Sequence, residues 1–317
     1  MSNGELILQR IAHALLWLLS RLPLSWVHGL GTICGVWMSW LPNRQRRNAL
    51  LNLAVCFPEM PFEQLRDLRN RSLREFGKTY LEIAHLWQRP VADVLNLVSE
   101  TQGIEALRPR EGRGLIVLSP HLGAWELAGL YLAAQGPTVI FYKPQKQLDA
   151  LILAARKRSG ATLAPITTHG IRRLIQALKR GEQVGILPDQ APRADKGAAF
   201  APLFGVPAYT MLLVNRLAQT TGADVVFLFA ERLTASTGYR MHCVRAPSDV
   251  AAADPIVAAT ALNQGIEHCV RRCPEQYLWT YRRFRERPAG IPKLYQGALD
   301  DAAAWEQAQQ FRAAIHF

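Results

Sequence analysis

The amino-acid sequence predicts an α/β fold in which a mostly parallel sheet is flanked by helices, with a hydrophobic helical segment for membrane attachment at the N-terminus. From Gly114 onward, short apolar runs alternate with longer amphipathic stretches, as expected when strands and helices alternate along a parallel sheet. Apolar residues are also concentrated in the first 41 positions. At 317 residues the chain is long enough for one large domain with a substantial core and an N-terminal attachment.

The predicted elements follow in chain order. Charged residues interleaved with leucines and aromatics at helical spacing predict a helix over residues 62–88. The predicted strands cover residues 115–118, 138–142, 184–187, 225–229 and 240–247, and the predicted helices after them cover 124–135, 147–159, 169–180, 207–221 and 255–272. We divide the chain into an attachment segment at 1–45, a main domain at 46–290 and a C-terminal tail at 291–317.

The stretch LPLSWVHGLGTICGVWMSWL, residues 22–41, has no formal charge and contains three tryptophans. About 20 apolar residues are needed to span a bilayer, so this stretch just reaches the required length. The basic flank NRQRRN at 43–48 is typical of a segment that stays on the cytoplasmic side beside anionic lipid. We expect membrane attachment, by one span or by interfacial insertion; the alternative is a pair of buried helices.

Charge and cysteine content limit the classes of partner. With 37 Lys and Arg against 25 Asp and Glu, the formal net charge is +12, which attracts nucleic acid, an anionic membrane or an acidic protein without choosing among them. The five cysteines form no even disulfide framework, and Cys269 and Cys273 lack companion ligands at zinc spacing. We therefore expect a reducing compartment and no structural metal.

The motif LIVLSPHLGAWE at 115–126 places a histidine and a glutamate five positions apart after a predicted strand. On a continuous helix these side chains would point about 140° apart. His121 and Glu126 meet only if His121 stays in the loop and the chain turns through Gly123 into a helix that carries Glu126. The carboxyl end of a strand is where open α/β sheets bind ligands. The alternative is a surface histidine beside a glutamate that favours the helix dipole.

Other polar groups follow the next predicted strands. Lys143 comes after the second strand, and Asp189 with Gln190 comes after the third. If the strands are parallel neighbours, these groups and His121 converge at one rim of the sheet. Taken alone, Asp189 is a turn-forming residue between two prolines.

Two basic clusters are candidates for anion recognition. Arg156 and Arg158 lie at the end of a predicted helix, where guanidinium groups can hold a phosphate or can simply be solvated. The segment PEQYLWTYRRFRERP at 274–288 mixes arginines with aromatic residues, a combination that binds single-stranded nucleic acid or a phosphorylated glycolipid. The apolar N-terminus in the same chain favours the glycolipid.

Several of these motifs together resemble one family. HLGAWE is followed by FYKPQ, GEQVGILPDQAP, FAPLFGVPAYT and PEQYLWTYRRFRERP, and RRNALLNLAVCFPE precedes them at 46–59. In this order they resemble the bacterial lipid A late acyltransferases, the lauroyl and myristoyl transferases, over most of residues 5–288. The H-x4-D/E motif alone is shared by glycerolipid acyltransferases generally, so the specificity comes from the ordered blocks.

The resemblance implies a glycerolipid acyltransferase-like fold, with 46–290 as the acyltransferase domain. It implies a bacterial inner-membrane protein whose catalytic domain faces the cytoplasm. The expected reaction moves a fatty acyl chain from acyl carrier protein to a hydroxyl of a phosphorylated membrane glycolipid, with a lipid A precursor as the expected acceptor. We expect no cofactor, no metal and no nucleic-acid partner.

The resemblance also implies roles for individual residues. His121 is the expected general base and Glu126 its orienting partner, since an alcohol attacks a thioester poorly until an imidazole takes its proton. We expect direct transfer without an acyl-enzyme, because Ser119 lacks a G-x-S-x-G context. The expected substrate-binding residues are Arg156 or Arg158 for the acceptor phosphate, Asp189 for shaping the site, and Arg282 or Arg283 for further contacts.

Two alternatives remain open at this point. Variants resembling HLGAWE occur in relatives that act on other lipids, so the chain is alternatively a lysophospholipid or other lipid acyltransferase that uses acyl-CoA or acyl carrier protein. From a different class, it is a non-catalytic basic protein that tethers nucleic acid or another partner to the membrane.

Overall fold

A computed structural model describes residues 13–144, 149–192 and 197–315. The first twelve residues of the predicted attachment segment, the start of the predicted helix at 147–159 and the last two residues of the predicted tail lie outside the described residues. The division into segments at 1–45, 46–290 and 291–317 stays a prediction.

Helices form the N-terminal part of the described chain. They are α1 (residues 13–21), α2 (Leu24–Trp40), α3 (Arg44–Cys56), α4 (Phe62–Gln88) and α5 (Val91–Leu95). The helix predicted at 62–88 is confirmed by α4, which buries the apolar positions Leu65, Leu68 and Leu73. Asn43 begins α3 because its side chain accepts a hydrogen bond from the backbone N–H of Arg46 at 2.8 Å.

The rest of the described chain alternates between strands and helices. The strands are β1 (Val98–Gln102), β2 (Leu115–Leu118), β3 (Thr138–Tyr142), β4 (Thr162–Pro165), β5 (Gln183–Ile186), β6 (Ala198–Leu203), β7 (Val206–Met211), β8 (Asp224–Arg232) and β9 (Tyr239–Arg245). The helices are α6 (Trp125–Gln135), α7 (Asp149–Lys157), α8 (Thr168–Lys179), α9 (Leu213–Thr221), α10 (Pro255–Val270) and α11 (Asp301–Ala313).

Seven of these strands form one sheet in the order β1-β9-β8-β2-β5-β3-β4. The five strands from β8 to β4 are parallel, and β9 runs antiparallel to β8 with β1 parallel to β9. The predicted mostly parallel α/β sheet flanked by helices is therefore confirmed. All four residues of β2 are buried, as expected for a central strand covered on both faces.

One predicted element is wrong in type. The helix predicted over 207–221 is a strand up to Met211, and helix α9 begins only at Leu213. β7 pairs antiparallel with β6 through the two-residue turn Phe204-Gly205, where both residues have positive φ angles of 51° and 68°. Such a turn matches the twist of a hairpin, and the pairing that it allows overrides the helical pattern of the following residues. The elements that were not predicted are β1, β4, β6, α3, α5 and α11.

The N-terminal helices pack on protein along one side. Among the described residues, no helix is both long enough and apolar enough to cross a membrane. α2 has 17 residues, and its buried residues Val27, His28 and Gly31 face the rest of the protein. The stretch at 22–41 is therefore a helix with a protein-facing side.

Glycines allow the backbones of α2 and α4 to lie close together. A Cβ atom on Gly31 would lie 2.6 Å from the backbone Cα of Lys78, and a Cβ atom on Gly77 would overlap the carbonyl oxygen of Gly31. Because the atoms in the way belong to the backbone, neither helix can accept a side chain here without moving away from the other.

We predict that Gly31→Ala lowers the free energy of unfolding by about 1–3 kcal/mol, because overpacking pushes the two helices apart. The matched control is Gly29→Ala in the same helix, where a Cβ atom would meet nothing within 4 Å. That variant should be neutral or slightly stabilising, because alanine favours a helix over glycine. Denaturant unfolding of both variants measures the difference, and equal stabilities would contradict the packing argument.

Candidate active site

The candidate site lies at the carboxyl ends of the neighbouring strands β2 and β5. Leu118 of β2 pairs with Ile186 of β5. His121 and Asp189 each lie three residues beyond this pair, so equal lengths of chain carry them past the sheet edge side by side. The predicted convergence of polar groups at this edge is confirmed for His121, Asp189 and Gln190. Lys143, which follows β3, is exposed.

The imidazole of His121 is held by Asp189. Nδ1 lies 2.7 Å from Asp189 Oδ1, and the backbone N–H of His121 donates to Asp189 Oδ2 at 2.8 Å. A carboxylate only accepts hydrogen bonds, so in the neutral ring Nδ1 carries the proton and Nε2 carries the lone pair. The side-chain amide nitrogen of Gln190 lies 3.1 Å from Nε2 and donates to that lone pair. The ring is therefore oriented with Nε2 as its proton acceptor.

Asp189 is suited to stabilise a charged imidazole. Its burial opposes ionisation, but the charge of His121 and the hydrogen bonds from that residue outweigh burial, so the pKa of Asp189 lies below its ordinary value. The carboxylate is therefore ionised at neutral pH and faces the ring at the point where positive charge would develop.

Glu126 has different partners from those expected. Its carboxylate accepts hydrogen bonds from Arg156 Nε at 3.1 Å and Nη2 at 2.5 Å, and from Trp87 Nε1 at 3.1 Å. Burial opposes its ionisation, but Arg156 and Trp87, with a smaller contribution from the charge of His121, lower the pKa of Glu126.

The expected direct pairing of His121 with Glu126 therefore needs correction, because the strand register supplies Asp189 to the ring and α7 supplies Arg156 to Glu126. The catalytic roles of His121 and Glu126 stay predictions.

The predicted substrate-binding arginines have mixed surroundings. Arg156 is paired with Glu126. Arg158 donates to the carbonyl oxygens of Leu86, at 2.6 Å, and Arg89, which end helix α4. These bonds tie α7 to α4 and do not fit the expectation that Arg158 holds a phosphate.

The two C-terminal arginines also differ from each other. Arg283 is buried and donates to the carbonyl oxygen of Tyr209 at 2.8 Å and to the hydroxyl of Thr210 at 3.0 Å. The expectation that it contacts substrate is therefore not supported by its position. Arg282 is exposed, and its guanidinium lies 6.0 Å from the ring centroid of Tyr295.

The loop between His121 and α6 is held on both sides. The carbonyl oxygen of His121 accepts from the backbone N–H of Leu278 at 3.0 Å, and the N–H of Gly123 donates to Gln276 at 3.1 Å. Gly123 has a φ angle of 61°, and a Cβ atom there would overlap the carbonyl oxygen of Ala230. The predicted turn through Gly123 is confirmed, and glycine is required there by both conformation and space.

A buried ion pair supports the same loop. Arg232 donates to Glu82 from Nε at 2.8 Å and from Nη2 at 2.6 Å, and Nη2 also donates to the carbonyl oxygen of Gly123 at 2.9 Å. Burial opposes ionisation of Glu82, but Arg232 and His28 lower its pKa to about 2. Sequence reasoning missed Arg232, although a lone arginine at the end of the apolar run VVFLFAER was a usable signal.

An apolar cavity lies beside Trp125, whose ring centroid is 5.1 Å from that of His121. It has about 500 Å³ of empty space, its mouth included, between β2, α6, β3 and β5. Its walls include Leu132, Ile140 and Leu228, whereas Ser119 and the Glu126–Arg156 pair supply polar groups. Apolar walls with a few polar groups suit contact with an alkyl chain. In the described part of the chain, no cluster of histidine, cysteine and acidic residues is placed to bind a metal ion.

The sequence was compared with known proteins. The family of bacterial lipid A biosynthesis acyltransferases matches residues 5–286. The chain is 30% identical over 283 residues to the lipid A biosynthesis palmitoleoyltransferase of Escherichia coli strain K12, which covers 88% of this chain and 92% of the relative. It is 30% identical over 289 residues to the lipid A biosynthesis lauroyltransferase of that strain, with the same coverage, and 28% identical over 268 residues to the myristoyltransferase. Because the match extends over most of the chain, the protein belongs to the bacterial lipid A biosynthesis acyltransferase family.

Proposed function

We propose that this acyltransferase moves a fatty acyl group from acyl carrier protein to a hydroxyl of a lipid A precursor. The observation that carries the proposal is the His121–Asp189 pair, whose side chains lie 2.7 Å apart; the His121 ring packs against Trp125, which lines the apolar cavity. Three relatives, a palmitoleoyl-, a lauroyl- and a myristoyltransferase of lipid A biosynthesis, support the same reaction.

The chemistry uses Nε2 of His121 as the base. The acceptor hydroxyl displaces the amide of Gln190 from Nε2, and its oxygen attacks the thioester carbonyl while the imidazole takes its proton. The tetrahedral intermediate then re-forms its carbonyl and expels the thiolate, which receives the proton from His121. Asp189 holds the ring and stabilises the imidazolium, and such positioned acid–base catalysis supplies roughly 10²–10⁴-fold. No bond between the acyl group and the protein is needed.

The net charge of the protein supports the choice of acyl donor. A net charge of +12 favours the encounter with an acidic carrier protein, and transfer from acyl carrier protein should slow steeply as ionic strength rises. Faster turnover with acyl-CoA at matched concentration would contradict this choice of donor. Arg282, which is exposed, is our candidate for the acceptor's phosphate.

Attachment to the cytoplasmic face of the inner membrane is part of the proposal. Five exposed apolar residues of α2 recur at intervals of four, three, four and three positions, which places them on one side of the helix. They are Trp26, Leu30, Ile33, Trp37 and Trp40, between 41% and 72% exposed. A stripe of this kind suits insertion into the membrane interface. We define these five residues as the tryptophan stripe.

We predict that His121→Ala abolishes nearly all transfer, and that Asp189→Asn costs roughly 10²–10⁴-fold because an amide can force the ring into the wrong tautomer. The double variant should be no slower than His121→Ala alone, since residues that act as one unit are strongly non-additive. Initial rates with acyl carrier protein thioester measure the cycle, and thermal unfolding controls for folding.

The comparison variant is Glu126→Gln. The factor by which it lowers the transfer rate should multiply with the factor for Asp189→Asn, because the two carboxylates have separate partners. The opposite result would make Glu126 the partner of the base. In that case the rate losses of Asp189→Asn and His121→Ala would multiply, whereas adding Glu126→Gln to His121→Ala would lower the rate little further. A wild-type protein without transfer to a lipid A precursor would contradict the proposed function itself.

We predict that Gly129→Leu shifts the preferred donor to shorter acyl chains, because Gly129 of α6 lines the cavity. The rate with the longest accepted chain should fall by about tenfold or more relative to shorter ones. Gly129→Ala is the matched control, since its Cβ atom would lie at an ordinary 3.9 Å from Ile140 Cδ1. A series of acyl donors measures the preference, and an unchanged profile would place the acyl chain elsewhere.

We predict that replacing Trp26, Trp37 and Trp40 by serine weakens binding to anionic vesicles by about tenfold or more, a loss of ~1.4 kcal/mol. The control is Ile256→Ser, which removes an apolar side chain that is 56% exposed but lies outside the tryptophan stripe. Sedimentation with vesicles at high salt isolates the hydrophobic contribution by screening the basic surface. Equal binding of the two variants would contradict interfacial attachment through α2.

A further inference from the structure

Ser119 carries a hydroxyl that the mechanism above leaves unused. Its Oγ atom is buried and has no hydrogen-bond partner among the described residues. Its backbone N–H, in contrast, donates to the carbonyl oxygen of Ile186 at 2.9 Å. A buried polar atom without a partner is uncommon in proteins, and one beside a reactive centre points to a missing ligand.

The residue that carries this hydroxyl lines the apolar cavity. Side chains two positions apart in a strand lie on the same face, and both Val117 and Ser119 line the cavity. Ser119 follows directly on β2 and precedes His121 by two residues. An acyl chain in the cavity would therefore pass Ser119, two residues before the proposed base.

The backbone of this segment offers few competing donors. The N–H of His121 donates to Asp189, that of Leu122 to the carbonyl oxygen of Pro120 at 2.7 Å, and that of Gly123 to Gln276. The N–H of Ala124 donates to Ala230 at 2.8 Å, and Pro120 has no N–H. Every backbone donor from Ser119 to Ala124 is thus engaged. The Ser119 hydroxyl is the side-chain donor of this segment that remains available for an oxyanion.

We propose that the Ser119 hydroxyl donates a hydrogen bond to the thioester carbonyl oxygen and to the oxyanion formed from it, an assignment that rests on the proposed acyl transfer. As the acceptor oxygen attacks, the carbonyl π electrons move onto that oxygen, and the hydrogen bond from Ser119 strengthens. When the thiolate leaves, the carbonyl re-forms and the serine keeps its proton. A single donor of this kind is worth roughly 10²–10³-fold in kcat.

The test compares Ser119→Ala, Ser119→Cys and Ser119→Thr. Alanine removes the donor, cysteine nearly keeps the side-chain size but donates weakly, and threonine keeps the hydroxyl. We expect kcat to fall roughly 10²–10³-fold for alanine and cysteine with little change in KM for the acyl donor, and threonine to retain much of the activity. A residue that only supports the fold would not give this separation of kcat from KM or the rescue by threonine.

Three outcomes decide the proposal. An active wild-type protein whose Ser119→Ala variant keeps its kcat would overturn the role of Ser119 while leaving the acyl transfer intact. A wild-type protein that transfers no acyl group would overturn the proposed function instead. Intact-protein mass spectrometry of the enzyme quenched during turnover should show the unmodified mass; an acyl adduct lost in Ser119→Ala would make Ser119 a nucleophile and overturn the hydrogen-bonding role.

Discussion

The buried ion pair between Glu82 and Arg232 is the interaction on which much of the site depends. It joins α4 to the end of β8, and Glu82 also accepts from the hydroxyl of Tyr239 at 2.7 Å and lies 3.0 Å from His28 of α2. From this position Arg232 donates to the carbonyl oxygen of Gly123, two residues after the candidate base. Removing one partner of such a pair leaves a buried charge, which typically costs about 3–5 kcal/mol. Helices α2 and α4 and the loop between His121 and α6 are therefore parts of one hydrogen-bonded unit.

The two buried carboxylates of the site have different partners. Asp189 faces an imidazole, whose charge can change during a reaction, whereas Glu126 faces the permanently charged guanidinium of Arg156. Both carboxylates are ionised in spite of burial, because each has a cationic or hydrogen-bonding partner at close range. The first arrangement suits proton transfer, and the second suits a fixed wall of the apolar cavity.

The two sides of helix α2 differ: one packs against protein and the other is exposed. Its glycine side fits closely against α4, where no side chain could be accommodated at Gly31. Its opposite side exposes the tryptophan stripe. Because a helix repeats every 3.6 residues, the same 17 residues present a protein-packing surface and an apolar outer surface without conflict.

Features that depend on local spacing could be predicted from the order of residues alone. The helix at 62–88 and the strands at 115–118 and 138–142 were predicted with their observed bounds, because periodicity and short apolar runs are read over a few neighbouring residues. The ordered motifs also identified the family, which the comparison confirms. The position of His121 at a strand end followed from the same local reasoning.

Contacts between distant residues depend on how the strands and helices pack together. Glu126 is near His121 in sequence, but the hydrogen-bond partner of His121 is Asp189, 68 positions away. The two residues meet because β5 pairs with β2 in register. Likewise the segment before α9 is a strand because β6 pairs with it, and Arg158 and Arg283 bind backbone oxygens of distant elements. Strand order and pairing arise from packing across the whole chain, and no local pattern in the sequence contains them.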